Sequence, residues 1–186
     1  MNKKLLTITA LTLALAACGK KEQPAPAEPA GQSVTAQAPV TAAPAYNKKE
    51  TYFNLPLAGG KGRLDLATYA GKPVMFMFFT ETCPFCRKAA PAVEKFHQAY
   101  GPKGLNVMGI CIQDDAQAAL DFAKSLGVTF PLAYKGRPAY QAYKAQGVPY
   151  IYLLDKDHKV YDVWEGYDPS YDPSMLKAIE TVLAKK

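Results

Sequence analysis

An unbroken apolar run, Pro73-Val74-Met75-Phe76-Met77-Phe78-Phe79, ends four residues ahead of Cys83 in the motif Cys83-Pro84-Phe85-Cys86. The run shows no polar alternation, so it suits a strand buried on both faces of a sheet. Beyond the motif, Ala89, Val93, Phe96 and Tyr100 recur at helical spacing and mark one stripe of an amphipathic helix. The cysteine pair therefore stands at a strand-to-helix corner. Burying such a strand requires sheet neighbours and helical cover, which 186 residues with 49% apolar content can supply for one domain.

The rest of the chain provides those neighbours. Tyr52 to Leu57 and Arg63 to Leu66 flank Gly59-Gly60-Lys61-Gly62 and read as a small hairpin. A strand is expected from Leu105 to Ile112, then a helix capped by Asp114 or Asp115 and running to Leu126, then a short strand within Val128 to Tyr134. A short helix around Pro138 to Gln146 leads through Gly147-Val148-Pro149 to a second hairpin, Tyr150 to Leu154 with Lys159 to Trp164. The closing helix carries Met175, Leu176, Ile179, Val182 and Leu183 as its apolar stripe. Alternating strands and helices followed by an antiparallel hairpin imply an α/β fold: a mixed sheet flanked by helices, with an N-terminal β-hairpin.

Sulfur at a helix start meets unpaired backbone N–H groups and the positive end of the dipole, which favour thiolate over thiol. Pro84 suits that corner, because its fixed φ fits the first turn and no N–H is needed there. Cys83 then faces solvent and attacks, while Cys86, one turn inward, can close a disulfide and resolve. Lowering a thiol pKa from about 8.5 to about 7 takes roughly 2 kcal/mol, within reach of a helix terminus plus hydrogen bonds. At pH 7 the gain in thiolate is partly cancelled by lower intrinsic nucleophilicity, leaving about a threefold faster reaction. Docking of the partner and capture by Cys86 must provide the rest, so a groove is expected beside Cys83.

The first eighteen residues read as an address. Lys3 and Lys4 precede an apolar run from Leu5 to Ala17, too short at about 1.5 Å per residue to cross a hydrocarbon core of roughly 30 Å. Residues 1–17 form a secretory signal, and Leu15-Ala16-Ala17-Cys18 resembles the bacterial lipobox, which implies lipid attachment at Cys18. Gly19 resembles the following residue of lipoproteins sorted to an outer membrane. Residues 18–50 are expected to be a disordered Ala/Pro-rich tether, with Pro24, Pro26, Pro29, Pro39 and Pro44 and almost nothing to bury. At about 3.1 Å per residue, the stretch from Gly19 to Tyr46 can hold a domain roughly 90 Å from its anchor. Residues 51–186 make that domain. They carry 16 Lys plus Arg against 13 Asp plus Glu and no basic patch, which argues against nucleic acid as a partner.

Taken together, the buried strand, the CxxC corner, Pro91 within the following helix and Gly147-Val148-Pro149 ahead of a hairpin resemble the thioredoxin superfamily. The N-terminal hairpin, the Gly71-Lys72-Pro73-Val74 entry and the exported, lipidated start are similar to its TlpA/ResA-like branch of extracytoplasmic thiol-disulfide oxidoreductases. That resemblance implies a thioredoxin-like fold, Pro149 in a cis peptide beside the cysteines, and a substrate groove walled by Pro84, Phe85, Val148 and Pro149. It implies reduction of extracytoplasmic disulfide-containing or dithiol proteins, electrons from a membrane thiol partner, and no metal or organic cofactor. The chain departs from the resembled patterns in three places. Thr82 replaces the family's common Trp before the first cysteine, Ala89 the Glu of many TlpA-like members, and Met77 the buried Asp of ordinary thioredoxins, so the proton acceptor for Cys86 is unassigned. Glu81 reads as solvated.

Two further chemistries are compatible with parts of this pattern. Thr80-Glu81-Thr82-Cys83 contains the TxxC element of a thiol peroxidase, although Phe76 stands where the fuller pattern has Pro. Cys83 and Cys86 with a histidine could carry copper, although copper-binding relatives use CxxxC. Cys111, between Ile110 and Ile112, reads as a small buried apolar residue, with a role as a third redox cysteine left open. His97 and His158 read as surface residues.

Overall fold

The computed structural model describes residues 51–185. The signal segment, Cys18 and the tether lie outside the described residues. Strand β1 (Asn54–Pro56) pairs antiparallel with β2 (Arg63–Asp65), Leu55 opposite Leu64, and this is the expected N-terminal hairpin. The apolar run becomes β3 (Val74–Phe79), with every residue buried. It is followed by α1 (Pro84–Tyr100), β4 (Asn106–Cys111) and α2 (Ala116–Leu126). Next come β5 (Leu132–Ala133), α3 (Arg137–Ala142), β6 (Tyr150–Leu154), β7 (Val160–Glu165) and α4 (Asp172–Ala184).

The five-stranded sheet runs β5-β4-β3-β6-β7, with β3 in the middle. Its neighbours differ in direction: β4 is parallel and β6 antiparallel, so the sheet is mixed. Period-two alternation sends Met75, Met77 and Phe79 into one core with Val93 and Phe96 of α1, Phe122 of α2 and Ile179 of α4. Val74, Phe76 and Phe78 point the other way, into a core with Leu55 and Leu64 of the hairpin and Ala139 and Tyr143 near α3. The carboxyl end of β3, and the cysteine corner beyond it, thus sit on the central, fully buried strand of the sheet.

Several expectations are corrected. The strand expected within Val128 to Tyr134 shrinks to Leu132–Ala133, because Thr129 spends its N–H on the Glu94 carboxylate and Pro131 has none. The outer edge of β5 is covered by the N-terminal segment: Ala58 N–H donates to Leu132 O and Tyr134 N–H to Pro56 O. The helix expected from Pro138 to Gln146 stops at Ala142, and Lys144 adopts φ 57°. In α4 the core takes Met175, Ala178, Ile179 and Val182, whereas Leu176 is 38% exposed because it lies about 100° around the helix from Met175. His158 is not a surface residue. Its φ of 55° in the β6–β7 turn tucks the ring inward, where Nε2 lies 3.1 Å from Tyr69 O. His97 is half-buried, its ring edge-on to Phe130. Among the described residues, no helix is long and apolar enough to cross a membrane.

Candidate active site

Cys83 is the N-cap of α1, extended at φ −66° and ψ 114°, and its Sγ accepts the Cys86 N–H at 3.1 Å. A sulfur in this position satisfies one of the donors that every helix start leaves unpaired. Pro84 occupies the first helical position, as its fixed φ favours. Cys83 is half-buried, Cys86 is fully buried, and the two are joined in a disulfide with Cα atoms 5.2 Å apart. One sulfur is therefore reachable and the other sits behind it.

The Gly147-Val148-Pro149 loop comes from far along the chain to the same corner. Val148 O lies 3.4 Å from Cys83 Sγ, and the Val148–Pro149 peptide is cis. Pro149 is buried and Val148 half-buried, and Pro149 O accepts the Gly166 N–H at 2.9 Å from the end of β7. Just beyond, the Tyr150 hydroxyl donates to the Glu165 carboxylate; that bond, with burial, pushes the phenol up to about 12. The loop is thus braced on β7, with Val148 O turned toward Cys83 Sγ. Phe85 is 56% exposed next to it, with the Lys88 ammonium 5.3 Å from the ring centroid.

The structure brings Cys83, Cys86, Pro84, Phe85, Val148 and Pro149 to one place. It does not bring a histidine there. His97 is about 20 Å along α1 from its start, and His158 is at the far end of β6. Among the described residues there is no group of three His, Cys, Asp or Glu arranged to hold a metal ion. Met77 and Ala89 are fully buried in one apolar core, so neither position supplies a carboxylate to Cys86. Cys111 is fully buried at the end of β4; burial pushes its thiol up, outweighing a backbone hydrogen bond from Gln113 that lowers it, and the Glu81 and Asp115 charges raise it further. Its partner Gln113 was not visible in the sequence. The Gln113 side chain accepts the Glu81 N–H at 2.8 Å, linking the β4–α2 connection to the cysteine corner.

A strand–CxxC–helix corner on a central strand, with a cis-proline loop against the first sulfur, defines a thioredoxin-fold protein bearing a dithiol–disulfide site. The chain belongs to the Redoxin family, whose sequence pattern it matches over residues 32–183. It is 28% identical over 115 residues to the thiol-disulfide oxidoreductase ResA of Bacillus subtilis, a match covering 61% of this chain and 64% of the relative. Against ResA of Bacillus thuringiensis the covered share of the relative is 57%, so the match spans somewhat over half the length of these curated relatives. Among solved structures, it resembles the Chlorobium tepidum protein assigned as thiol:disulfide interchange protein DsbE, with TM-score 0.66 and 24% identity over 72% of this chain and 94% of that one. It also resembles peroxiredoxin Q of Xanthomonas campestris, with TM-score 0.60 and 18% identity over 70% and 91% of the two chains. These last two likenesses establish the fold. A fold common to an interchange protein and a peroxiredoxin does not choose between their chemistries.

Proposed function

We propose that this protein is an extracytoplasmic thiol-disulfide oxidoreductase that reduces protein disulfides by dithiol–disulfide exchange through Cys83 and Cys86. The supporting observation is the pairing of a reachable sulfur, capped on a helix N-terminus, with a buried one already bonded to it. In the reduced form the Cys83 thiolate attacks one sulfur of a partner disulfide, forming a mixed disulfide and releasing the partner's other sulfur as a thiolate. Cys86 then gives up its proton to that thiolate or to water and attacks Cys83, releasing the second partner sulfur. Two electrons pass to the partner, and the Cys83–Cys86 disulfide left behind is the form seen here. A dithiol donor at the membrane must reduce it for the next turn.

Val148, Pro149, Pro84 and Phe85 form the groove in this reading, which an extended partner segment would occupy beside Cys83. Residues 1–17 act as a lipoprotein signal, Cys18 as the lipid anchor and residues 18–50 as the tether, holding the domain of residues 51–186 in the cell envelope. In a bacterium with two membranes, Gly19 points to the outer one. No metal or organic cofactor takes part.

The test is to change Cys86 to Ala, so that Cys83 cannot be released, and to identify what becomes attached in cells. Envelope proteins joined through a reducible bond are expected, and Cys83→Ala should capture none. If no protein is captured and the wild-type pair fails to exchange with dithiothreitol or model disulfides, the proposal is wrong. Changing Cys18 to Ala should release the protein from membranes without altering exchange.

A further inference from the structure

Building on the thiol-disulfide reading, we infer that Gln113 is a positioning residue for Cys83: it holds the Thr80–Thr82 turn, and through it the sulfur that caps α1. Gln113 Oε1 accepts the Glu81 N–H at 2.8 Å and lies 3.6 Å from Cys111 Sγ, whose S–H can donate to the same oxygen. The backbone from which this side chain projects is itself fixed on two sides. Gln113 O accepts the Lys135 N–H at 2.8 Å, and the adjacent Ile112 N–H donates to Phe79 O at 3.0 Å. Gly136 lets the β5–α3 connection come this close, because a Cβ there would lie 2.8 Å from Cys111 O. The amide thus reaches the turn from a well-held base.

The turn needs such an anchor. Its own internal bond, Cys83 N–H to Thr80 O, is long at 3.4 Å. The cap works only while Cys83 Sγ stays near the Cys86 N–H, since hydrogen bonds to a charged acceptor weaken with distance and misalignment. Glu81 stands two residues before Cys83, so releasing its N–H lets the sulfur drift from the helix end. A neutral amide is also the suitable anchor: a carboxylate would accept the same N–H but oppose a nearby thiolate.

The test compares reduced full-length wild-type protein with Gln113→Met, Gln113→Glu and, as a control on the exposed face of α2, Gln117→Met. Two quantities are read: hydrogen exchange at the Glu81 amide by NMR, and the pH profile of Cys83 alkylation by iodoacetamide. Gln113→Met matches the volume without the acceptor. It should speed Glu81 exchange about fivefold over the amides of β3, and move the alkylation profile to higher pH with about a threefold slower reaction at pH 7. Gln113→Glu should restore Glu81 protection because an acceptor oxygen returns, yet keep the profile raised because it adds negative charge. Gln117→Met should change neither. Wild-type exchange and an unmoved profile in Gln113→Met would overturn the inference. So would uniform loss of protection across β3 and β4 with a falling Tm, which marks a purely structural residue. Iodoacetamide needs no disulfide partner, so the test stays readable even if the wild-type protein proves inert toward disulfides.

Discussion

At its first turn, helix α1 presents Cys83, Pro84 and the exposed Phe85 around backbone N–H groups that the helix itself does not use. In its second half the same helix carries Glu94, only 8% exposed, whose carboxylate accepts Thr129 N–H at 2.8 Å, the Thr129 hydroxyl, and Gln98 Nε2 at 2.8 Å. The Tyr100 hydroxyl at the far end donates to Glu180 of α4 at 3.0 Å. Pro91 lies between the halves, exposed, with α1 continuing through it. One end therefore has backbone donors to spare, whereas at the other the buried carboxylate already has its donors, although His97 Nδ1 there stays unpaired. Chemistry belongs at the first, where a charged sulfur finds donors, and stability at the second, where a buried charge is already satisfied.

The largest expected effect breaks the comparison at the cysteine end. Cys83→Ser should lower disulfide exchange by about three orders of magnitude, since it removes the nucleophile. The Tm of the reduced protein should hardly move. A fall in Tm as large as that of a core substitution would mean that the two ends do not divide these duties. The next effect sets Cys83 against Cys111, the same side chain in the opposite environment. In reduced native protein, iodoacetamide should modify Cys83 at least about a hundredfold faster than Cys111, which requires opening of the fold. Mass spectrometry of each site measures this, and in denaturant the two rates should converge. Rapid native labelling of Cys111 would show that β4 does not bury it.

Much of the cysteine end was legible in the sequence because its signals are local. The apolar run specifies β3, and the helical spacing of Ala89, Val93, Phe96 and Tyr100 specifies the buried face of α1; all four of those residues are buried. The approach of Val148 to Cys83 spans 65 residues and came only through family resemblance. Gln113 and Glu94 were not legible, because each finds its partner in the backbone of another segment, and no periodicity announces such a pair. Burial of His158 depended likewise on a turn conformation and on Tyr69, far away in the chain. Apolar patterning is written along the chain, whereas polar satisfaction is settled when segments meet.

The clamped end makes the third prediction. Burial alone would raise the Glu94 carboxyl, but the Thr129 and Gln98 hydrogen bonds outweigh it and, with His97 nearby, hold it below its ordinary value. A carboxylate with a depressed folded pKa stabilises the protein above its unfolded value and loses that contribution as pH falls through the folded one. Glu94→Ala should therefore cost about 2 kcal/mol near pH 7, with the Cys83 alkylation profile unchanged. Glu94→Gln should be less stable than wild type at pH 7, because its amide turns a donor toward the Thr129 N–H or hydroxyl. As pH falls below the ordinary carboxylate value that gap should narrow, and it closes once pH passes below the depressed folded value, since protonated Glu94 also carries a donor. Thermal melts across pH 7 to 3 measure it, and a gap that stays constant would remove the carboxylate from this role.

The smallest expected effect returns to the cysteine end and asks whether its openness serves a partner. An aromatic ring 56% exposed beside a reactive sulfur leaves apolar surface in water, which a docked protein would cover and a small disulfide would not. Ala is well tolerated in a first helical turn, so Phe85→Ala should leave folding alone. It should raise KM for a protein disulfide about fivefold, the equivalent of roughly 1 kcal/mol, at nearly constant kcat. For a small-molecule disulfide neither constant should change, because that reaction needs only Cys83 and Cys86. Equal losses on both substrates would place Phe85 in the geometry of the sulfur pair rather than in the groove. Equal indifference would leave the ring outside the docking surface, and recognition would then rest on the Val148–Pro149 side alone.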